Sequence, residues 1–120
     1  MVEAARVRAL AAALPAACDV SDGERLVFEV AGKGFAWTWN ERVHPKKPRR
    51  PRADVLAIRC PIELKEMLVA AAPQTFFDED HYRGYPAVLA RLDAIEEAEL
   101  AGLLEGAWRL IAPKSLVARR

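Results

Sequence analysis

HYRGYPAVLARLDAIEEAELAGLLEGAWRLIAPKSL, residues 81–116, decides the fold. Gly84-Tyr85-Pro86 is a turn signal, because Gly tolerates positive φ and Pro holds φ near −65°. The apolar run that follows, Ala87-Val88-Leu89-Ala90-Arg91-Leu92, suits a strand with one face covered and the other at least partly so. From Glu96 the period changes. Leu100, Leu103, Leu104, Ala107, Trp108 and Ile111 fall at helical spacing and predict a broad apolar stripe. Glu96, Glu97 and Glu99 crowd the first turn, where the helix dipole favours negative charge. Pro113 ends the helix, and Lys114 sits just past its negative end. Burying such a stripe stabilises by ~1.5–3 kcal/mol per large side chain before ordering entropy is counted. It therefore needs a sheet to pack against.

Working outward, the chain supplies that sheet. Val2 to Leu14 reads as a helix, with Val7, Leu10 and Leu14 on one face. Glu3, Arg6 and Arg8 break the apolar run and favour a mature helix over a leader peptide. Residues 16–24 form a turn-rich link in which Asp22-Gly23 is a turn candidate. Arg25 to Ala31 reads as a strand, Gly32-Lys33-Gly34 as a hairpin turn, and Phe35 to Asn40 as the returning strand. Alternation places Phe35, Trp37 and Trp39 on one face of it. Asp54 to Cys60 is a third strand. Pro61 opens a second helix that uses Leu64, Met67, Leu68 and Ala71, and a short extended piece, Thr75-Phe76-Phe77, leads back to the opening stretch. The expectation is a single α+β domain over residues 1–120, with an antiparallel sheet of about five strands backed by helices in the order α-β-β-β-α-β-β-α.

Composition bounds the function. Apolar residues are 52% and charged residues 29% of 120, ordinary for a globular protein. No apolar run reaches the roughly 20 residues that span a bilayer, so no membrane partner is expected. Cys18 and Cys60 lack metal-site spacing and fit a reducing, cytoplasmic setting. Net charge is only +1, but residues 41–52 (ERVHPKKPRRPR) hold six Lys/Arg against one Glu, leaving the other 108 residues at −4. The polarity is concentrated in one Pro-rich stretch, residues 41–53, whose prolines favour an extended, poorly paired chain.

That stretch is the leading candidate site. Arg42, Lys46, Lys47, Arg49, Arg50 and Arg52 are placed to neutralise phosphates, and the alternative is a solvated hairpin tip. Trp37 and Trp39 read either as a base-stacking platform beside it or as sheet packing. With Tyr82 and Tyr85 they mark a possible ligand face. Lys33 between two glycines is explained by a turn, since no phosphate-loop motif follows. His44 and His81 stand alone, and Asp78-Glu79-Asp80-His81 has no ligand spacing, so no metal and no cofactor are expected. No nucleophile–base constellation is visible from spacing, so no catalytic residue is assigned.

Three pieces, FEVAGKGFAW (28–37), PQTFFDEDHYRGYPAVLARLDAI (73–95) and ELAGLLEGAWRLIAPKSL (99–116), resemble the MmcQ/YjbR-like family of small bacterial proteins. The match covers most of the chain, and GYPAVL followed by AWRLIAPK is its most specific part. Residues 15–24 depart from the family's usual His/Gly-containing approach to the first strand. The resemblance implies a CyaY-like α+β fold, comparable with double-wing DNA-binding domains, and a DNA-binding label with no catalytic residues. The expected function is thus a non-enzymatic, weakly sequence-specific DNA-binding module, monomeric or a small homo-oligomer. The alternative is a protein-interaction or small-ligand module.

Overall fold

The computed structural model describes residues 1–42 and 44–119; Val43, within the basic stretch, and Arg120 lie outside them. Along the chain run α1 (Ala4–Ala12), β1 (Cys18–Asp19), β2 (Val27–Val30), β3 (Lys33–Glu41), β4 (Arg50–Arg59), α2 (Ile62–Ala71), β5 (Phe76–Phe77), β6 (Ala87–Arg91), α3 (Glu97–Ile111) and α4 (Lys114–Arg119). Among the described residues the strands form one antiparallel sheet of six, in the order β1-β2-β3-β4-β6-β5. The expected order of elements is present, with two additions. β1 is a two-residue strand that pairs Cys18 with Glu29 inside the stretch read as a link, and α4 restarts the helix just after Pro113.

The helices back one face of the sheet. Phe28, Val30, Phe35, Leu56, Ile58, Phe76 and Val88 from the strands meet Leu100, Leu104, Ala107 and Trp108 of α3 and Val7 of α1 in the main core. The stripe read from α3 is the buried one, with Leu103 and Ile111 at its half-buried margins. The Trp108 indole N–H donates to the Pro15 carbonyl at 2.9 Å, which joins the end of α1 to α3.

Three local readings are corrected. The β2–β3 turn is Ala31-Gly32, both at positive φ (52° and 77°), with Val30 paired to Lys33. Lys33 and Gly34 belong to the strand. Two positive φ values make this a type I′ turn, whose twist suits a two-residue hairpin.

Second, Phe35 does not share a face with Trp37 and Trp39. A bulge at Phe28/Glu29 sets Ala36 opposite Phe28 and Gly34 opposite Glu29, leaving Phe35 unpaired. The extra residue breaks the period of two. Phe35 and Ala36 both enter the helix-side core, and Trp37 and Trp39 turn to the opposite face.

Third, α2 does not bury Met67 or Ala71; Met67 is 60% exposed. Its inner face is Leu64, Leu68 and Val69 with Lys65, a charged residue that the hydrophobic pattern leaves out.

The basic stretch is also more ordered than its prolines suggest. β3 runs on to Glu41 and β4 starts at Arg50, with Trp39↔Arg52, Asn40↔Pro51 and Glu41↔Arg50 in register. β6 pairs with β4 from Val55 onward, and the Leu92 N–H reaches the Asp54 carbonyl, so residues 50–52 extend past it as a ribbon paired with β3 alone. There Pro51 has one side open, the setting in which a strand tolerates proline. Among the described residues the irregular part shrinks to 42 and 44–49.

Candidate nucleic-acid interface

The ribbon carries the basic residues at its tip. Lys46, Lys47 and Arg50 are exposed, and no carboxylate lies within ion-pair distance of them among the described residues. Lys47 and Arg50 line a cleft of about 460 Å³ with Glu41, His44 and Pro48. The other three cations are partly engaged. Arg42 donates to the Pro45 carbonyl (3.1 Å) and Arg49 to the Asn40 carbonyl (3.0 Å), contacts that brace the tip. Arg52 is bound by two carboxylates, Glu41 at 3.0 Å and Asp54 at 2.9 Å. The bidentate hydrogen bond from Arg52 holds the Asp54 carboxyl below the usual carboxylate range, against a smaller opposing effect of burial.

Below the tip, the sheet face away from the helices carries a second apolar cluster. Trp39, Val55, Ala57 and Leu89 are buried in it, and Trp37, Phe77 and Tyr82 pack around them. The residues form a cross-strand row, since Trp37 pairs with Ala57, Ala57 with Leu89 and Leu89 with Phe77. Arginines cap the aromatic rings. Arg52 lies 5.9 Å from the Trp39 ring, Arg59 5.4 Å from Trp37 and 5.7 Å from Tyr85, and Arg91 4.2 Å from Phe77. Trp39 is only 7% exposed, edge-on to Phe77, and its indole N–H is buried without an acceptor. It is a packing residue. Trp37 remains half-buried and stays available at the surface.

Tyr82 and Tyr85 reach this face from the segment between β5 and β6. The Trp37 indole N–H donates to the Tyr82 hydroxyl at 2.9 Å. Burial is the main influence pushing that hydroxyl's pKa up. Tyr85 meets Trp37 and Tyr82 edge-on, with ring centroids 6.5 and 5.8 Å apart, and is 38% exposed. The four residues singled out as a stacking face are thus brought together, with Trp39 beneath and Trp37, Tyr82 and Tyr85 at the rim.

What holds the segment is Lys65. Its side chain is 5% exposed, yet its ammonium donates to the carbonyls of Tyr82 and Tyr85 (3.0 Å to the latter) and pairs with Asp78 at 2.9 Å. A buried ammonium has three protons to place, and here each has an acceptor. Sequence reasoning missed this residue. The available signal was a Lys between Leu64 and Leu68 on the inward side of an apolar helix.

The histidines do not converge. His44 accepts from the Lys46 backbone N–H through Nδ1 (3.1 Å), and exposed His81 serves the 80–82 turn through its backbone N–H on Glu79. Tyr82, and not His81, is the residue that packs there. Among the described residues no group of three or more His, Cys, Asp or Glu is placed to hold a metal, and no helix is long and apolar enough to cross a membrane.

A one-sided antiparallel sheet backed by helices, with an arginine-capped aromatic face and a basic hairpin tip, defines an α+β protein. The YjbR family model matches residues 12–110, and the chain belongs to that family. The matched range includes the departing stretch 15–24. A crystal structure of a Deinococcus radiodurans protein with a DUF419 domain is similar at a TM-score of 0.68 and 25% identity, covering 96% of this chain and 82% of that one. Uncharacterized proteins of Mycobacterium bovis and Mycobacterium tuberculosis are 43% identical over 68 residues, 56% of this chain and 53% of theirs. The matched segment spans about half the length of these relatives.

Proposed function

We propose that this protein is a non-enzymatic DNA-binding module that grips phosphates with the tip of the β3–β4 hairpin. The observation that carries the reading is the set of three exposed cations, Lys46, Lys47 and Arg50, without carboxylate partners among the described residues. They sit on a ribbon whose other arginines already brace the tip. Phosphate contacts position a protein without reading bases, so binding is weakly sequence-specific. Arg59 and Arg91 place further positive charge on the sheet face, while Arg52 between them and the tip is neutralised by Glu41 and Asp54.

Fluorescence anisotropy with a labelled duplex tests this at low salt. Changing Lys46, Lys47 and Arg50 together to Ala is expected to weaken binding at least about tenfold, since surface cations supply most of a non-specific affinity. Equal affinity of the variant and wild type would contradict it.

A small-ligand reading has one observation in its favour. An apolar groove of about 240 Å³ between α2 and α3 is lined by Leu64, Leu103, Gly106 and Leu110, with Arg59 at its margin. Saturable chemical-shift changes at these residues with apolar acids, alongside no DNA binding, would favour it.

A further inference from the structure

We propose that the wall formed by Trp37, Tyr82, Tyr85 and Arg59 receives an unpaired nucleobase, so that single-stranded DNA is the preferred partner. This rests on the reading of the hairpin tip as a phosphate grip. Two observations and one steric argument point the same way. From the hairpin tip to the sheet face, cations lead to rings: Lys47 and Arg50 at the tip, then, past the carboxylate-paired Arg52, Arg59 beside Trp37 and Tyr85. A positive track interleaved with aromatic surfaces is the arrangement that holds single strands, since every base offers a π-face.

The wall is also braced from within the chain. Tyr82 is tied to Trp37 by its hydroxyl, and Lys65 holds the carbonyls of Tyr82 and Tyr85 from beneath. Arg59 is fixed by its Nε–H donating to the Gly34 carbonyl at 2.7 Å, which sets the guanidinium beside both rings. Burying an ammonium is unfavourable unless all its protons are satisfied. Here that buried charge orders a segment whose outermost side chain, Tyr85, is exposed. Preorganised aromatic and guanidinium surfaces lower the ordering cost of stacking a base.

Finally, a duplex makes no use of this wall. Its bases are stacked on one another, and their faces are closed to Tyr85; the tip alone suffices for duplex phosphates.

The experiment compares a labelled dT20 single strand with a 20-base-pair duplex in moderate salt. The proteins are wild type, Tyr85→Ala, Tyr85→Phe and the triple tip variant, each checked for an unchanged circular dichroism melt. Wild type is expected to bind dT20 at least about tenfold more tightly than duplex. Tyr85→Ala is expected to lose about 5- to 150-fold for dT20, the range of one base–aromatic stack, with duplex affinity unchanged. Tyr85→Phe keeps the ring and restores binding. Equal affinity for both DNAs, or no effect of Tyr85→Ala, would overturn the stacking site while leaving the phosphate grip standing if the tip variant still loses affinity. Absence of binding to either DNA by wild type would overturn both.

Discussion

The ammonium of Lys65, in the middle of α2, lies 3.0 Å from the carbonyl oxygen of Tyr85, across the sheet edge from the helix layer. A residue of the helix layer thus positions the aromatic segment of the opposite face. Replacing Lys65 with Met removes one donor from the Tyr82 and Tyr85 carbonyls and from Asp78, which keep the backbone N–H groups of Tyr85, Ala87 and Glu79. Stability measured by chemical denaturation is expected to fall by about 1–3 kcal/mol, the range for lost hydrogen bonds to a charged group. The Tyr82–Tyr85 amides are expected to lose hydrogen-exchange protection before the rest of the sheet.

The Ala31-Gly32 turn carries a removable strain. Ala31 sits at φ 52°, a conformation that disfavours a Cβ by roughly 1–2 kcal/mol. Ala31→Asn installs the residue pair preferred in type I′ turns. The variant is expected to be more stable by about 0.5–1 kcal/mol in urea unfolding.

Gly102 and Gly106 lie inside α3, and a Cβ built on either meets nothing within 4 Å. Neither glycine is needed for close packing within this chain. Gly102→Ala and Gly106→Ala are each expected to raise stability by about 0.5–1 kcal/mol, the usual helix-interior difference. Thermal unfolding by circular dichroism reads this directly.

Acid weakens the base of the ribbon. The Asp54 carboxyl is depressed, chiefly by its hydrogen bonds from Arg52. A carboxylate with a lowered folded pKa contributes stability that is fully present above its unfolded value, near 3.9, and is lost as pH falls through the folded value. The pair is half exposed, so the contribution is at most about 1 kcal/mol. Asp54→Asn is expected to lose that amount at neutral pH and to converge with wild type in acid-titrated denaturation as pH falls through the lowered pKa of folded Asp54.

The parts legible from the amino-acid order were those governed by period. The α3 stripe from Leu100 to Ile111 and the apolar run of β6 repeat at one spacing, and both are where periodicity puts them. Features set by one irregular residue were not legible. The bulge that sends Phe35 to the helix side depends on β2–β3 register, which alternation alone does not contain. Lys65 looked like a surface residue because its acceptors come from residues 13 to 20 positions later. At the site, composition pointed to the basic stretch, but only the three-dimensional pairing with Glu41 and Asp54 separates Arg52 from Lys46, Lys47 and Arg50. The gathering of Trp37, Tyr82 and Tyr85 follows from a hydrogen bond spanning 45 residues.

The most direct test of the phosphate grip is the salt dependence of duplex binding, measured by anisotropy for wild type and the Lys46/Lys47/Arg50→Ala variant. Each neutralised phosphate contributes a log–log slope of roughly −0.9 on B-DNA. The wild-type slope is expected to be steep and to become shallower by about 2–3 in the variant. Superimposable slopes, or wild-type affinity that does not change with salt, would contradict it.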